Sequence, residues 1–84
     1  MRIVDTVPKD SLHKLILLDL GGLFAIQEQA INRQPDEVLE HFTRDDAMFF
    51  WGRACVANFV SLTHNFPDAE ALADRRVKSI FFED

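Results

Sequence analysis

The chain has 84 residues and a mass of 9.7 kDa; 48% of it is hydrophobic, and 14 acidic against 9 basic side chains give a formal charge of −5. A chain of this length holds one domain, buries only about 60–65% of its unfolded surface, and leaves little room for a deep active site walled by its own core. The single cysteine, Cys55, excludes an internal disulfide and a four-thiolate zinc site, and the apolar fraction excludes disorder.

The N-terminal stretch Arg2–Val7 is rich in β-branched residues, as is Val77–Phe82 with its aromatics, so the two ends can pair as short terminal β-strands. Met1–Val7 has Arg2 but also Asp5 and no continuous apolar core, so no secretory leader is expected there. Three prolines, Pro8, Pro35 and Pro67, are each followed by acidic residues. Proline needs no backbone donor in a first helical turn, and early acids complement the helix dipole, so each proline reads as a helix start.

A first helix is expected from about residue 8 to about residue 32. Its apolar residues, from Leu12 through Ile31, fill the i, i+3, i+4 stripe and spill beyond it. Gly21-Gly22 interrupts this stretch, at about 1 kcal/mol per glycine relative to alanine. Two readings stand: a kink or break after Leu20, or a close helix crossing at Gly21 and Ala25, one turn apart. A short acidic turn or helix is expected over Pro35–Phe42. A longer helix should run from Thr43, which with Asp46 forms a variant capping box, to about Asn65. Ala47–Trp51 and Ala54–Ala57 make that helix apolar nearly all round, as in a helix that is central or sits between subunits. A third helix follows Pro67, with Ala69, Leu72, Ala73 and Val77 on its inner side. The expected fold is mainly α: a helical hairpin or three-helix domain spanning residues 1–84, with terminal strands as an option.

The charge is concentrated. Residues 1–34 are neutral, whereas residues 35–46 carry Asp36, Glu37, Glu40, Asp45 and Asp46 against Arg44 alone. Basic residues cluster only at Arg75, Arg76 and Lys78, which disfavours direct nucleic-acid binding. The most apolar stretch, Ala47–Leu62, contains Arg53 and Asn58 and is shorter than the ~20 residues of a membrane span. A cytoplasmic protein without membrane contact is expected.

Catalytic constellations are weak. Glu37, His41 and Asp45 have the spacing of metal ligands on one helix face, but a solvated acidic face explains them more simply. Ser61 and His64 lack an orienting acid, and Cys55 has no histidine one turn away. Gly21-Gly22 is followed by neither Lys nor a Ser/Thr ligand for phosphate. No enzyme, cofactor or metal is expected. Arg53 and Asp19, each a charge in apolar surroundings, are candidates to pair with one another.

The leading expectation is a non-enzymatic protein-binding module. Its acidic residues Asp36, Glu37, Glu40, Asp45 and Asp46 would meet a basic partner surface. Apolar surface in excess of what three helices can cover predicts a homodimer or higher oligomer. A short acidic chain without a catalytic constellation has the profile of phage and mobile-element inhibitors, anti-CRISPR proteins among them; no motif carries that likeness. The alternative is an oligomeric protein that sequesters or senses a small ligand such as a nucleotide, in a pocket between subunits lined by Phe50, Trp51 and Arg53. Asp45-Asp46-Ala47-Met48 with Trp51 resembles, over a handful of imperfectly spaced residues, a helix of phage hairpin proteins that sequester cyclic nucleotides. That is too little to place the chain in that family. A structural subunit of a larger assembly is a third option.

Overall fold

Four consecutive apolar residues, Leu15–Leu18, decide the first half of the fold. Such a run satisfies a helical stripe and also a strand buried on both faces. In the computed structural model, which describes residues 1–30 and 41–82, it is the centre of a sheet. The strands are β1 (Arg2–Pro8), β2 (His13–Asp19) and β3 (Phe24–Ala30), antiparallel in the order β1-β2-β3. Leu17 points to one face and Ile16 and Leu18 to the other, and all three are buried. The helices α1 (Arg44–Thr63) and α2 (Phe66–Phe81) complete an α+β fold.

The mainly α expectation is therefore corrected: where a helix was expected from about 8 to about 32, the described residues as far as Ala30 form strands and turns. Pro8 ends a strand instead of starting a helix. The acid after it, Asp10, closes the β1–β2 turn by accepting hydrogen bonds from the backbone N–H groups of Leu12 (2.7 Å) and His13 (2.8 Å). Gly21 and Gly22 neither kink a helix nor admit a crossing one. They form the β2–β3 turn, with φ of +84° and +129°, while the Asp19 carboxylate accepts from the Gly21 N–H at 2.8 Å. Ala25, the other residue of the proposed crossing, is fully buried in β3. The terminal-strand option is half corrected: the N-terminal stretch is β1, but it pairs with β2, and residues 77–81 finish α2.

Beyond β3, Phe42 returns to the sheet, exchanging backbone hydrogen bonds with Phe24 (2.9 and 2.7 Å). The next residue, Thr43, caps α1, its hydroxyl accepting from the Asp46 N–H at 3.3 Å, with Asp45 and Asp46 in the first turn. Thr43→Ala is expected to cost about 1 kcal/mol in a urea titration, with α1 otherwise intact. At the far end His64 takes the left-handed conformation (φ 55°), and Asn65 caps α2 by accepting from the Asp68 N–H at 3.0 Å. This two-residue link folds α2 back along α1.

The core lies between the helical hairpin and one sheet face. Val7 and Leu17 from the sheet meet Trp51 and Cys55 from α1, and Ala73, Val77 and Phe81 from α2. Ile16, Leu18 and Ala25 form a smaller buried group on the opposite sheet face. The register of β1 shifts by one residue between Ile3 and Asp5. Ile3 pairs with Leu18 on the outer face, so an unbroken strand would send Asp5 outward as well. The extra residue turns Asp5 onto the helix-facing side, opposite Leu17.

Candidate functional site

Two places in the fold concentrate polar chemistry or unmet apolar surface. The first is internal. Asp5, turned inward by the strand irregularity, accepts a hydrogen bond from Trp51 Nε1 at 3.0 Å and two from the Arg76 guanidinium at 2.8 and 2.6 Å. Arg76 also donates to the Thr6 carbonyl at 3.2 Å. Burial works against the Asp5 charge, but the hydrogen bonds from Arg76 and Trp51 outweigh it and hold the carboxyl below the ordinary carboxylate value. The cluster joins β1, α1 and α2, and each of its strong donors has an acceptor. Cys55 lies close by, and burial pushes its thiol up to about 11, so it is protonated at neutral pH and a poor nucleophile.

The second place is on the surface. Ala47, Trp51 and Cys55 define the side of α1 that faces the core. At about 100° per residue, Phe49, Arg53, Val56 and Val60 lie about 140–200° round the helix from Trp51. The far side of α1 is therefore also apolar, and among the described residues no strand covers it. Together with α2 it forms an open groove of about 1120 Å³. Its floor is the seam of the hairpin: Gly52, Val56, Ala73 and Val77. Phe49, Phe66 and Phe82 stand along its edges 58–59% exposed. The charges on it are Arg53 from α1 and Glu70, Asp74 and Lys78 from α2. Lys78 Nζ is 3.4 Å from Asp74, and the Arg53 guanidinium lies over the Phe49 ring at 5.8 Å. A groove with a floor of small residues and rims of large aromatic and charged ones is suited to receiving a helix.

The residues singled out from the sequence are dispersed. Asp36, Glu37 and Glu40 lie outside the described residues. Asp45 and Asp46 are exposed in the first turn of α1, with Asp45 one turn before Phe49. Phe50 is exposed and packs against the Phe42 and Phe49 rings, Trp51 is fully buried on Asp5, and only Arg53 of these three reaches the groove. Within one chain they do not share a pocket. Gly21 is at a turn and Ala25 inside the sheet, so neither lies at a helix contact. The suggested Asp19–Arg53 pair is not formed: Asp19 lies 3.6 Å from Arg2 and caps the β2–β3 turn. Of the suggested metal ligands, Glu37 lies outside the described residues; among those described, no group of three or more His, Cys, Asp or Glu side chains is placed to hold a metal. Also among the described residues, no helix is long and apolar enough to cross a membrane.

Asp5 and Arg76 were missed because nothing local marks two residues 71 positions apart as partners. The groove had a signal in the all-round apolar character of α1, but its second wall, Phe66 to Phe82, becomes visible only once α2 is placed. No protein-family model matches the sequence, and no curated protein or solved structure shows significant similarity to it.

Proposed function

We propose that this protein is a non-enzymatic protein-binding module of the cytoplasm whose working surface is the α1–α2 groove, and that this groove receives an amphipathic helical surface. The observation that carries the reading is the groove itself, floored by small residues and edged by three exposed phenylalanines. Soluble domains seldom leave such surface uncovered without a binding role. Asp45, one turn before Phe49, and Asp46 favour lysine or arginine on a helix approaching that end. An inhibitor of the phage or mobile-element type, occupying a basic surface on its target, fits this mode of action.

A phage-displayed library of helical peptides, panned on the full chain, tests the reading. Selected peptides should share an apolar i, i+3, i+4, i+7 stripe with Lys or Arg at one end, and should lose binding to a Phe49→Glu/Ala57→Glu variant of unchanged melting temperature. Selected peptides without the stripe, or binding to that variant as strong as to the wild type, would overturn it.

A further inference from the structure

We infer that the outer edge of β1 is closed to pairing with a strand of a second copy of this chain, and that Arg76 is the residue that closes it. In a sheet of order β1-β2-β3, no strand among the described residues lies on the outer side of β1. An edge strand offers its unpaired N–H and C=O groups as a template for another chain unless something blocks them.

The register identifies those groups. In an antiparallel ladder, residue pairs that exchange backbone hydrogen bonds alternate with pairs that do not. A residue of the second kind turns its N–H and its C=O away from the neighbouring strand. Just past β1 the Lys9 N–H donates to the His13 carbonyl at 3.0 Å, which makes Lys9 and His13 an exchanging pair. Counting from there, Pro8 and Lys14 do not exchange, Val7 and Leu15 do, and Thr6 and Ile16 again do not. Thr6 and Pro8 therefore turn their backbone groups to the outer edge.

A strand arriving there needs a donor and an acceptor from each of the two residues. Pro8 has no N–H to give. The Thr6 carbonyl already accepts from the Arg76 guanidinium at 3.2 Å. What remains, the Thr6 N–H and the Pro8 carbonyl, is too little to carry a ladder. Arg76 is fixed in this position by its bonds of 2.8 and 2.6 Å to Asp5. The register shift between Ile3 and Asp5 breaks the edge on the other side, so the regular stretch is only Asp5 to Pro8. An inward-pointing charge, a proline and a strand irregularity are all means by which sheets guard their edges, and here they act on the same four residues.

The test uses the full chain carrying Phe49→Glu/Ala57→Glu, so that the groove contributes no contact. Mass is read by sedimentation equilibrium from about 10 µM to about 0.5 mM, and intermolecular β-structure by infrared spectroscopy. With the edge intact, 9.7 kDa is expected. Pro8→Val restores the missing donor, and Asp5→Val/Arg76→Met frees the Thr6 carbonyl while removing both charges, so that neither is stranded. All three edge substitutions together should at least double the mass and add intermolecular β signal. Pro8→Val alone, with Arg76 in place, should not. Adding Thr6→Pro, which deletes the other outward N–H, should return the mass to 9.7 kDa. A folded triple edge variant of 9.7 kDa at every concentration would overturn the inference, as would association that survives Thr6→Pro or that Pro8→Val produces alone. In the otherwise unchanged chain, Thr6→Pro should shift the melting temperature by less than about 5 °C, because no ladder bond is lost. A larger fall would mean that Thr6 faces β2, and would overturn the inference whether or not the edge variants fold.

Discussion

Trp51→Ala is expected to remove about 3–5 kcal/mol of stability. Trp51 is fully buried at the centre of the core, and truncation leaves a cavity facing both the sheet and α2. It also deprives Asp5 of the Nε1–H donor, so a partly buried carboxylate loses one of its partners. A domain of this length has a total stability of about 4–13 kcal/mol, so the loss is a large share of the whole and should lower the urea midpoint markedly. Trp51 is the only tryptophan, so the comparison is made by far-UV circular dichroism in urea. Trp51→Phe retains most of the ring volume and loses mainly the donor, and should cost about 1–2 kcal/mol. Equal midpoints for the wild type and Trp51→Ala would contradict this account of the core.

The second large effect is at Asp5. Removing the carboxylate with Asp5→Ala leaves the Arg76 fork and the Trp51 N–H without their shared acceptor. The Asp5 side chain is 14% exposed and Arg76 37%, so screening trims the 3–5 kcal/mol of a fully buried broken pair to about 2–3 kcal/mol. In a double-mutant cycle with Arg76→Met the two losses should not add, because the second substitution removes the stranded charge. The pH dependence has a definite sign. The folded Asp5 carboxyl titrates below its ordinary value of 3.8. Its contribution is therefore complete above the unfolded value and is lost as pH falls through the lower folded one. The stability gap between wild type and Asp5→Asn should be constant from about pH 7 to about pH 5 and narrow steadily below about pH 4. A gap that widened on acidification would mean that the carboxylate is not held by these bonds.

The second half of the chain was legible because its signals are local. Thr43 and Asp46 act within one turn of each other, and Pro67 with Asp68 marks the start of α2. The first half was misread for a physical reason. Leu15–Leu18 are apolar at every position, so the run fits both a period of 3.6 and a period of 2, and a strand buried on both faces has no alternation to betray it. The discriminating mark was Asp19 before Gly21-Gly22, a side-chain acceptor two residues ahead of its backbone donor followed by residues free to adopt positive φ. Read as punctuation within a helix, it became a kink; read as a turn between two seven-residue runs, it gives β2 and β3. The candidate site was legible only in outline. The all-round apolar character of α1 pointed to a contact surface, but Trp51, about 160° round the helix from Arg53, faces the core, and Phe50 packs on the Phe42 and Phe49 rings beside the groove.

The pairing of Asp5 with Arg76 also bears on how the chain reaches this structure. Each strand hydrogen-bonds a sequence neighbour, and the two helices adjoin through two residues, so both hairpins can form early from nearby parts of the chain. The Asp5–Arg76 contact joins residues 71 positions apart, among the costliest loops in entropy of the contacts described, and it can form only after the sheet and the helical hairpin have met. It acts as a latch set late in folding. Weakening it should leave the rate of folding nearly unchanged and shorten the lifetime of the folded state.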